Sequence, residues 1–151
     1  MTVVGDSVTI DAAPALEAMV PGCQVDAHVS EQWSTGVQDL AQMRSAGQLG
    51  AMVVVALGTN GPVSVAQFQQ MMGVLRGVSR VVIVTNHAPV PWVEPNNAMF
   101  AAEVPLYPTA RIANWDAAAT AHPGDLYPDG THMPIGGPGA QLWASLVKAQ
   151  L

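Results

Sequence analysis

The sequence predicts a three-layer α/β/α domain built on a parallel sheet. Three observations point there. Short apolar, β-branched runs alternate with helix-like stretches along the chain, as in strands covered on both faces. Of the 151 residues half are hydrophobic and only 11% charged, which suits a packed core rather than a disordered chain. No apolar run reaches the length of a membrane span, and Leu49 to Leu57 reads instead as a buried strand.

Each element has its own local reason. Thr2–Gly5 is a β-branched run ending in a glycine, and a short helix is expected over Pro14–Met19, where Pro14 suits a first turn and Pro21-Gly22 a stop. A second strand is placed at Val25–Val29 and a helix at Ser34–Ala46. The third strand, Ala51–Leu57, holds the most apolar run in the chain, Met52 to Ala56. Ser64 with Gln67 three residues on forms a capping box that opens a helix to Arg76. Val81–Thr85 is the fourth strand, and a fifth lies near Arg111–Ala113. Between them Pro89 to Pro108 carries five prolines around one short helix, Asn96–Glu103, a long connection of the kind that often serves function. Leu142, Trp143, Leu146 and Val147 recur at helical spacing in a last helix, Gly139–Ala149, whose Lys148 favours a C-terminal turn.

The net charge of −6, with five Lys plus Arg, argues against a nucleic-acid footprint and against attraction to an anionic membrane surface. The single cysteine, Cys23, excludes an internal disulfide and reads as a structural thiol beside a turn. The first strand begins directly after Met1, with no signal peptide. That start is expected of one domain, residues 1–151, trimmed from a longer protein.

Three short blocks carry chemistry. Gly5-Asp6-Ser7-Val8 follows the first strand, Leu57-Gly58-Thr59-Asn60-Gly61 follows the third, and Asp129-Gly130-Thr131-His132 lies near the end. In an open α/β sheet ligands bind beyond the carboxyl ends of the strands, so Ser7 and Asn60 are placed for a common site. Ser7 is the candidate nucleophile, and Asp6 is expected to order its turn. His132 would take the serine proton, while Asp129 three residues earlier fixes the imidazole tautomer. Pro128 and Pro134 bracket that loop and Gly130 permits its bend. Asn60 and the Ser7 N–H are candidate oxyanion donors. Taken singly, each block is also an ordinary turn sequence. His28, His87 and His122 show no ligand spacing, so no metal is expected, and His122-Pro123 reads as a structural loop contact. Asn86, His87 and Trp92 follow the fourth strand and are candidate substrate contacts. Trp92 offers either a flat apolar surface for a sugar ring or a core side chain beneath its loop.

The three blocks in this order resemble the SGNH hydrolases. The fuller string adds Val25-Asp26-Ala27, Thr85-Asn86 before Pro89, Asn114-Trp115 and His122-Pro123. It resembles the extracytoplasmic SGNH domain fused to acyltransferase-3 membrane proteins, as in peptidoglycan O-acetyltransferases. The resemblance runs nearly end to end. The architecture read here is flavodoxin-like, with five parallel strands in the order 2-1-3-4-5. The resemblance implies O-acetyl transfer to an extracytoplasmic glycan through an acetyl-Ser7 intermediate, and acetylesterase activity with water as acceptor. It implies no cofactor, a glycan acceptor and an acyl donor as partners, and a parent tethered to the cell membrane through an acyltransferase-3 domain. The family's further oxyanion glycine has no counterpart here; the nearest position is Ser30. A stand-alone carbohydrate or lipid esterase and a non-catalytic glycan-binding domain remain open. A dinucleotide-binding domain is disfavoured, because no G-x-G-x-x-G follows the first strand.

Overall fold

A computed structural model describes all residues, 1–151. Five strands, β1 (Thr2–Gly5), β2 (Gln24–Ala27), β3 (Met52–Ala56), β4 (Arg80–Val84) and β5 (Ala110–Ala113), form one sheet. Every pairing is parallel and the order is β2-β1-β3-β4-β5, as read from the sequence. Six α-helices cover it: α1 (Ser7–Met19), α2 (Trp33–Ser45), α3 (Val65–Val74), α4 (Val93–Glu103), α5 (Trp115–Ala121) and α6 (Pro138–Lys148).

The strands are apolar at successive positions because both faces are buried. Val4, Val53, Val55, Val81 and Ile83 point into a core shared with Trp33, Leu40, Phe68, Met71 and Phe100 of α2, α3 and α4. Their neighbours Val3, Val54, Val82 and Val84 point to the opposite face, against Leu16, Trp115, Trp143 and Val147 of α1, α5 and α6. Ser64 closes the expected capping box with Gln67.

Several boundaries differ from the sequence reading, each for a local reason. The first helix starts at Ser7, not Pro14: Asp6 caps it, so the chain turns from strand to helix within one residue. Pro14 therefore lies inside the helix, on its exposed side, where water can serve the carbonyl freed by the missing N–H. The fourth helix begins at Val93. Pro95 falls in its first turn, where no intrahelical partner is needed. A short 3-10 turn, Val104–Leu106, extends it. The fifth helix was not read from the sequence; its signal was Asn114, whose side chain accepts from the Ala117 N–H as an N-cap. β2 stops at Ala27 because His28–Glu31 closes a turn.

The order reverses between β1 and β3, and the crevice beyond their carboxyl ends lies between the Ser7 and Asn60 segments. Gly58 sets the path of the second segment, with φ +115. A Cβ there would stand 2.4 Å from the buried Asn86 Oδ1 and 3.3 Å from Asn96 Nδ2. Gly58→Ala should therefore cost about 3 kcal/mol, combining left-handed strain with overpacking. Urea unfolding measures this; a loss under about 0.5 kcal/mol would show that the loop relaxes freely.

Candidate active site

Ser7 is the first residue of α1, so its N–H is one of those a helix leaves without an internal partner, at the positive end of the dipole. Gly5 makes the tight entry possible, since a Cβ there would lie 2.1 Å from Thr9 Oγ1. The Ser7 Oγ stands 2.9 Å from His132 Nε2. On the other side of the ring, His132 Nδ1 is 2.8 Å from Asp129 Oδ2. A carboxylate only accepts, so Nδ1 carries the proton and the Nε2 lone pair faces the serine hydroxyl.

Asp129 also builds its own loop. Its Oδ1 accepts from the N–H groups of Thr131 at 2.9 Å and His132 at 3.0 Å. Gly130 supplies the positive φ, +67, at the bend. The loop is fastened to α1 by the Met133 N–H, which donates to Asp11 Oδ2 at 3.2 Å. The hydrogen bond from His132 holds the Asp129 carboxyl below the usual range, despite opposing burial. The pair is open to solvent, the side chains of His132 and Asp129 being 37% and 49% exposed.

Asn60 follows β3 and faces the serine turn. Its Nδ2 donates to Asp6 Oδ2 at 3.2 Å and to the Glu31 carbonyl at 3.3 Å. Gln32 Nε2 bridges the carbonyls of Ser30 and Asn60 at 3.2 and 3.1 Å, so the 28–31 turn and the Asn60 loop are fastened together. Ser30 has φ +61 and is the one non-glycine residue of the chain with positive φ. The turn is closed by the Glu31 N–H donating to the His28 carbonyl at 3.2 Å. Ser30 thus holds the third position of a turn that favours glycine, and its N–H has no protein partner.

Three asparagines brace the loop from behind. Asn96 Nδ2 donates to the carbonyls of Gly58 and Gly61 at 2.9 and 3.0 Å, and its Oδ1 accepts from the Val63 N–H at 2.8 Å. Asn97 exchanges two bonds of 2.8 Å with the backbone of Asn86. Asn86 itself is 4% exposed and donates to the Leu57 carbonyl at 3.1 Å. Asn86, expected as a substrate contact, is buried here and supports the loop through that bond. His87 is half-buried and its Nδ1 lies 2.8 Å from Asp116 Oδ1. Trp92 is also half-buried, its indole N–H donating to the Thr59 carbonyl at 2.9 Å, beside Asn60. His122 is exposed and its N–H closes the C-terminus of α5. No group of three His, Cys, Asp or Glu side chains is placed to hold a metal ion. Asn96, Asn97, Asp116 and Gln32 were not singled out from the sequence; an asparagine pair in a proline-rich stretch was the available signal.

Asp6 is the buried charge of the site, 1% exposed. Burial pushes its carboxyl from 3.8 up to about 6, against the Thr59 hydroxyl, the Val8 N–H and the nearby His132, which all lower it. Behind it, Thr9 Oγ1, Asn86 Oδ1 and Trp115 Nε1 have no protein partner and border a cavity of about 10 Å³, room for roughly one water. Because the folded value exceeds the unfolded one, the folded state binds the proton more tightly. Asp6 therefore adds stability as pH falls from about 6 towards 3.8. Relative to Asp6→Asn, the wild type should gain about 2 kcal/mol between about pH 7 and about pH 4.5, measured by urea unfolding. A constant difference would show that Asp6 keeps an ordinary value.

No protein-family model matches the chain. Among curated proteins, the peptidoglycan O-acetyltransferase OatA of Listeria monocytogenes is 24% identical over 146 residues, 97% of this chain and 23% of its own length. The O-acetyltransferase OatA of Staphylococcus aureus is 24% identical over 135 residues, 89% of this chain and 22% of its own length. The chain thus spans between a fifth and a quarter of the curated relatives it matches. Among solved structures, the C-terminal catalytic domain of Streptococcus pneumoniae peptidoglycan O-acetyltransferase A, with a methylsulfonyl adduct, superposes with a TM-score of 0.91 at 25% identity. That match covers 99% of this chain and 90% of that domain. A GDSL-like lipase from Bacteroides thetaiotaomicron shares the fold, with TM-score 0.72 at 14% identity over 98% of this chain and 85% of the lipase. The resemblance drawn from the sequence blocks and the fold expected from it are borne out by these matches.

Proposed function

We propose that this chain is the catalytic domain of a serine-dependent O-acetyltransferase. It moves an acetyl group to a hydroxyl of an extracytoplasmic, peptidoglycan-like glycan, and acts as an acetylesterase when water takes the acceptor's place. The observation that carries this reading is the unbroken line from Ser7 Oγ through His132 to Asp129, at 2.9 and 2.8 Å. The O-acetyltransferase names of its relatives and the 0.91 match to a catalytic domain support the substrate class.

In the first half-reaction His132 Nε2 accepts the Ser7 proton as Oγ attacks the acetyl carbon. The tetrahedral oxyanion lies at the N-terminus of α1, where the Ser7 N–H, the Asn60 amide and the Ser30 N–H are the donors. The donor's C–O bond breaks, His132 returns the proton to the leaving oxygen, and acetyl-Ser7 remains. In the second half an acceptor hydroxyl gives its proton to His132 and attacks the same carbon. The bond to Oγ then breaks, and Ser7 recovers its proton. Asp129 stabilises the imidazolium in both halves. The length of the relatives, of which this chain spans 22–23%, supports a longer parent protein. In this reading an acyltransferase-3 membrane domain of that parent delivers the acyl group and tethers this domain outside the membrane.

The openness of the triad equally suits water, and this observation favours the stand-alone esterase as the second reading. With an activated acetyl ester, Ser7→Ala and His132→Ala should each abolish turnover, and Asp129→Asn should leave more activity. Asn60→Ala should lower kcat on the order of a hundredfold with KM little changed. Wild-type-like hydrolysis by Ser7→Ala would falsify the reading, and a loss confined to KM would make Asn60 a substrate contact.

Trp92 separates transfer from hydrolysis. The ring is half-buried, and its N–H anchors it to the loop of Asn60. Water needs no docking surface, whereas an acceptor sugar must be held near the acyl carbon. Trp92→Ala should leave hydrolysis of a small acetyl ester nearly intact and depress acetyl transfer to a glycan fragment, read by mass spectrometry. Equal loss of both with a lowered Tm assigns Trp92 to support of the loop instead.

A further inference from the structure

The Asn60 amide has two hydrogens, and both are taken at rest: one by Asp6 Oδ2 and one by the Glu31 carbonyl. An oxyanion donor needs one of them free. The two acceptors are differently held. The Glu31 carbonyl is a neutral acceptor at 3.3 Å, whereas Asp6 Oδ2 belongs to a buried carboxylate, which accepts a charge-assisted bond at 3.2 Å and is pinned through Oδ1 to the Val8 N–H at 3.1 Å. From this contrast, and resting on the function proposed above, we propose that Asp6 is the positioning residue of the oxyanion site. Its carboxylate keeps one Asn60 hydrogen throughout turnover, while the other swings from the Glu31 carbonyl to the developing oxyanion.

The geometry explains why an aspartate stands there. Capping α1 needs one acceptor and anchoring Asn60 needs a second, on the same short side chain. A carboxylate supplies both. Asparagine supplies a single acceptor, and its NH2 would face the Asn60 NH2. Serine supplies a hydroxyl that caps the helix well but is too short to serve Asn60 as well. Helix capping and oxyanion geometry are thereby tied to one residue beside the nucleophile.

The test compares Asp6→Asn and Asp6→Ser with the wild type on an activated acetyl ester. Asp6→Ser preserves the cap and hence the fold, checked by Tm. Both variants should lose kcat on the order of tenfold to a hundredfold with KM little changed, as expected for an interaction made in the transition state. Neither should lower activity further in an Asn60→Ala background. In parallel, the Asn60 side-chain amide resonance, identified by its disappearance in Asn60→Ala, should shift in Asp6→Ser. A folded Asp6→Ser with wild-type kcat, a full extra loss on top of Asn60→Ala, or an unmoved Asn60 resonance each overturns the proposal. Absence of any Ser7-dependent turnover in the wild type would instead refute the underlying function, and the Asn60 resonance would still decide whether Asp6 holds that amide.

Discussion

The turn from β1 into α1 is the constraint on which the site depends. Gly5 ends a strand and Ser7 begins a helix, with only Asp6 between them. The serine is thereby fixed at the helix N-terminus, where unpaired N–H groups and the dipole favour negative charge. Such a turn requires a residue without a Cβ at Gly5, because Thr9 occupies the space. It also requires a side chain that caps within one residue, which Asp6 does. Burial of that carboxylate is unfavourable at neutral pH. Its position beside Asn60 is a reason to retain it.

From this turn the remaining parts are held by polar anchors rather than by apolar packing alone. The Asn60 loop is braced by Asn86 and Asn96 from one side and by Gln32 from the other. The His132 loop is braced by Asp129 within itself and by Asp11 from α1. Loops that emerge from a buried sheet would otherwise leave their backbone groups without partners. Side-chain amides, each offering donors and an acceptor, satisfy them while keeping the path rigid. Rigid placement matters because an oxyanion contact weakens steeply with misplacement.

The fold was legible in the sequence because strands buried on both faces must be apolar at consecutive positions, and Met52–Ala56 and Val81–Val84 are. The order of the sheet and the grouping of Ser7, Asp129, His132 and Asn60 were legible through the three blocks together, since each alone is an ordinary turn. What escaped was set by tertiary contact. The start of α1 at Ser7 was hidden because Gly-Asp-Ser reads as a turn, and its capping role emerges only when Asp6 is seen buried. Helix α5, rich in alanine, lacks the apolar periodicity that marks α6. Asn86 follows a strand end and so reads as a substrate contact, yet it is buried and donates to the Leu57 carbonyl beneath the Asn60 loop. Ser30 departs from the glycine that the resemblance implies, and the backbone absorbs the departure by placing a serine at φ +61.

In the proposed mechanism Ser7 carries the acetyl group between donor and acceptor. This role is tested most directly by mixing the protein with an activated acetyl ester, quenching in acid within the first turnovers, and mapping modified peptides by mass spectrometry. The expected result is a single acetyl group on the peptide that begins the chain, localised to Ser7, which is lost faster when a glycan acceptor is added. Turnover with no acetyl group on Ser7 at any time, or with acetyl carried on another residue and unaffected by acceptor, would contradict it.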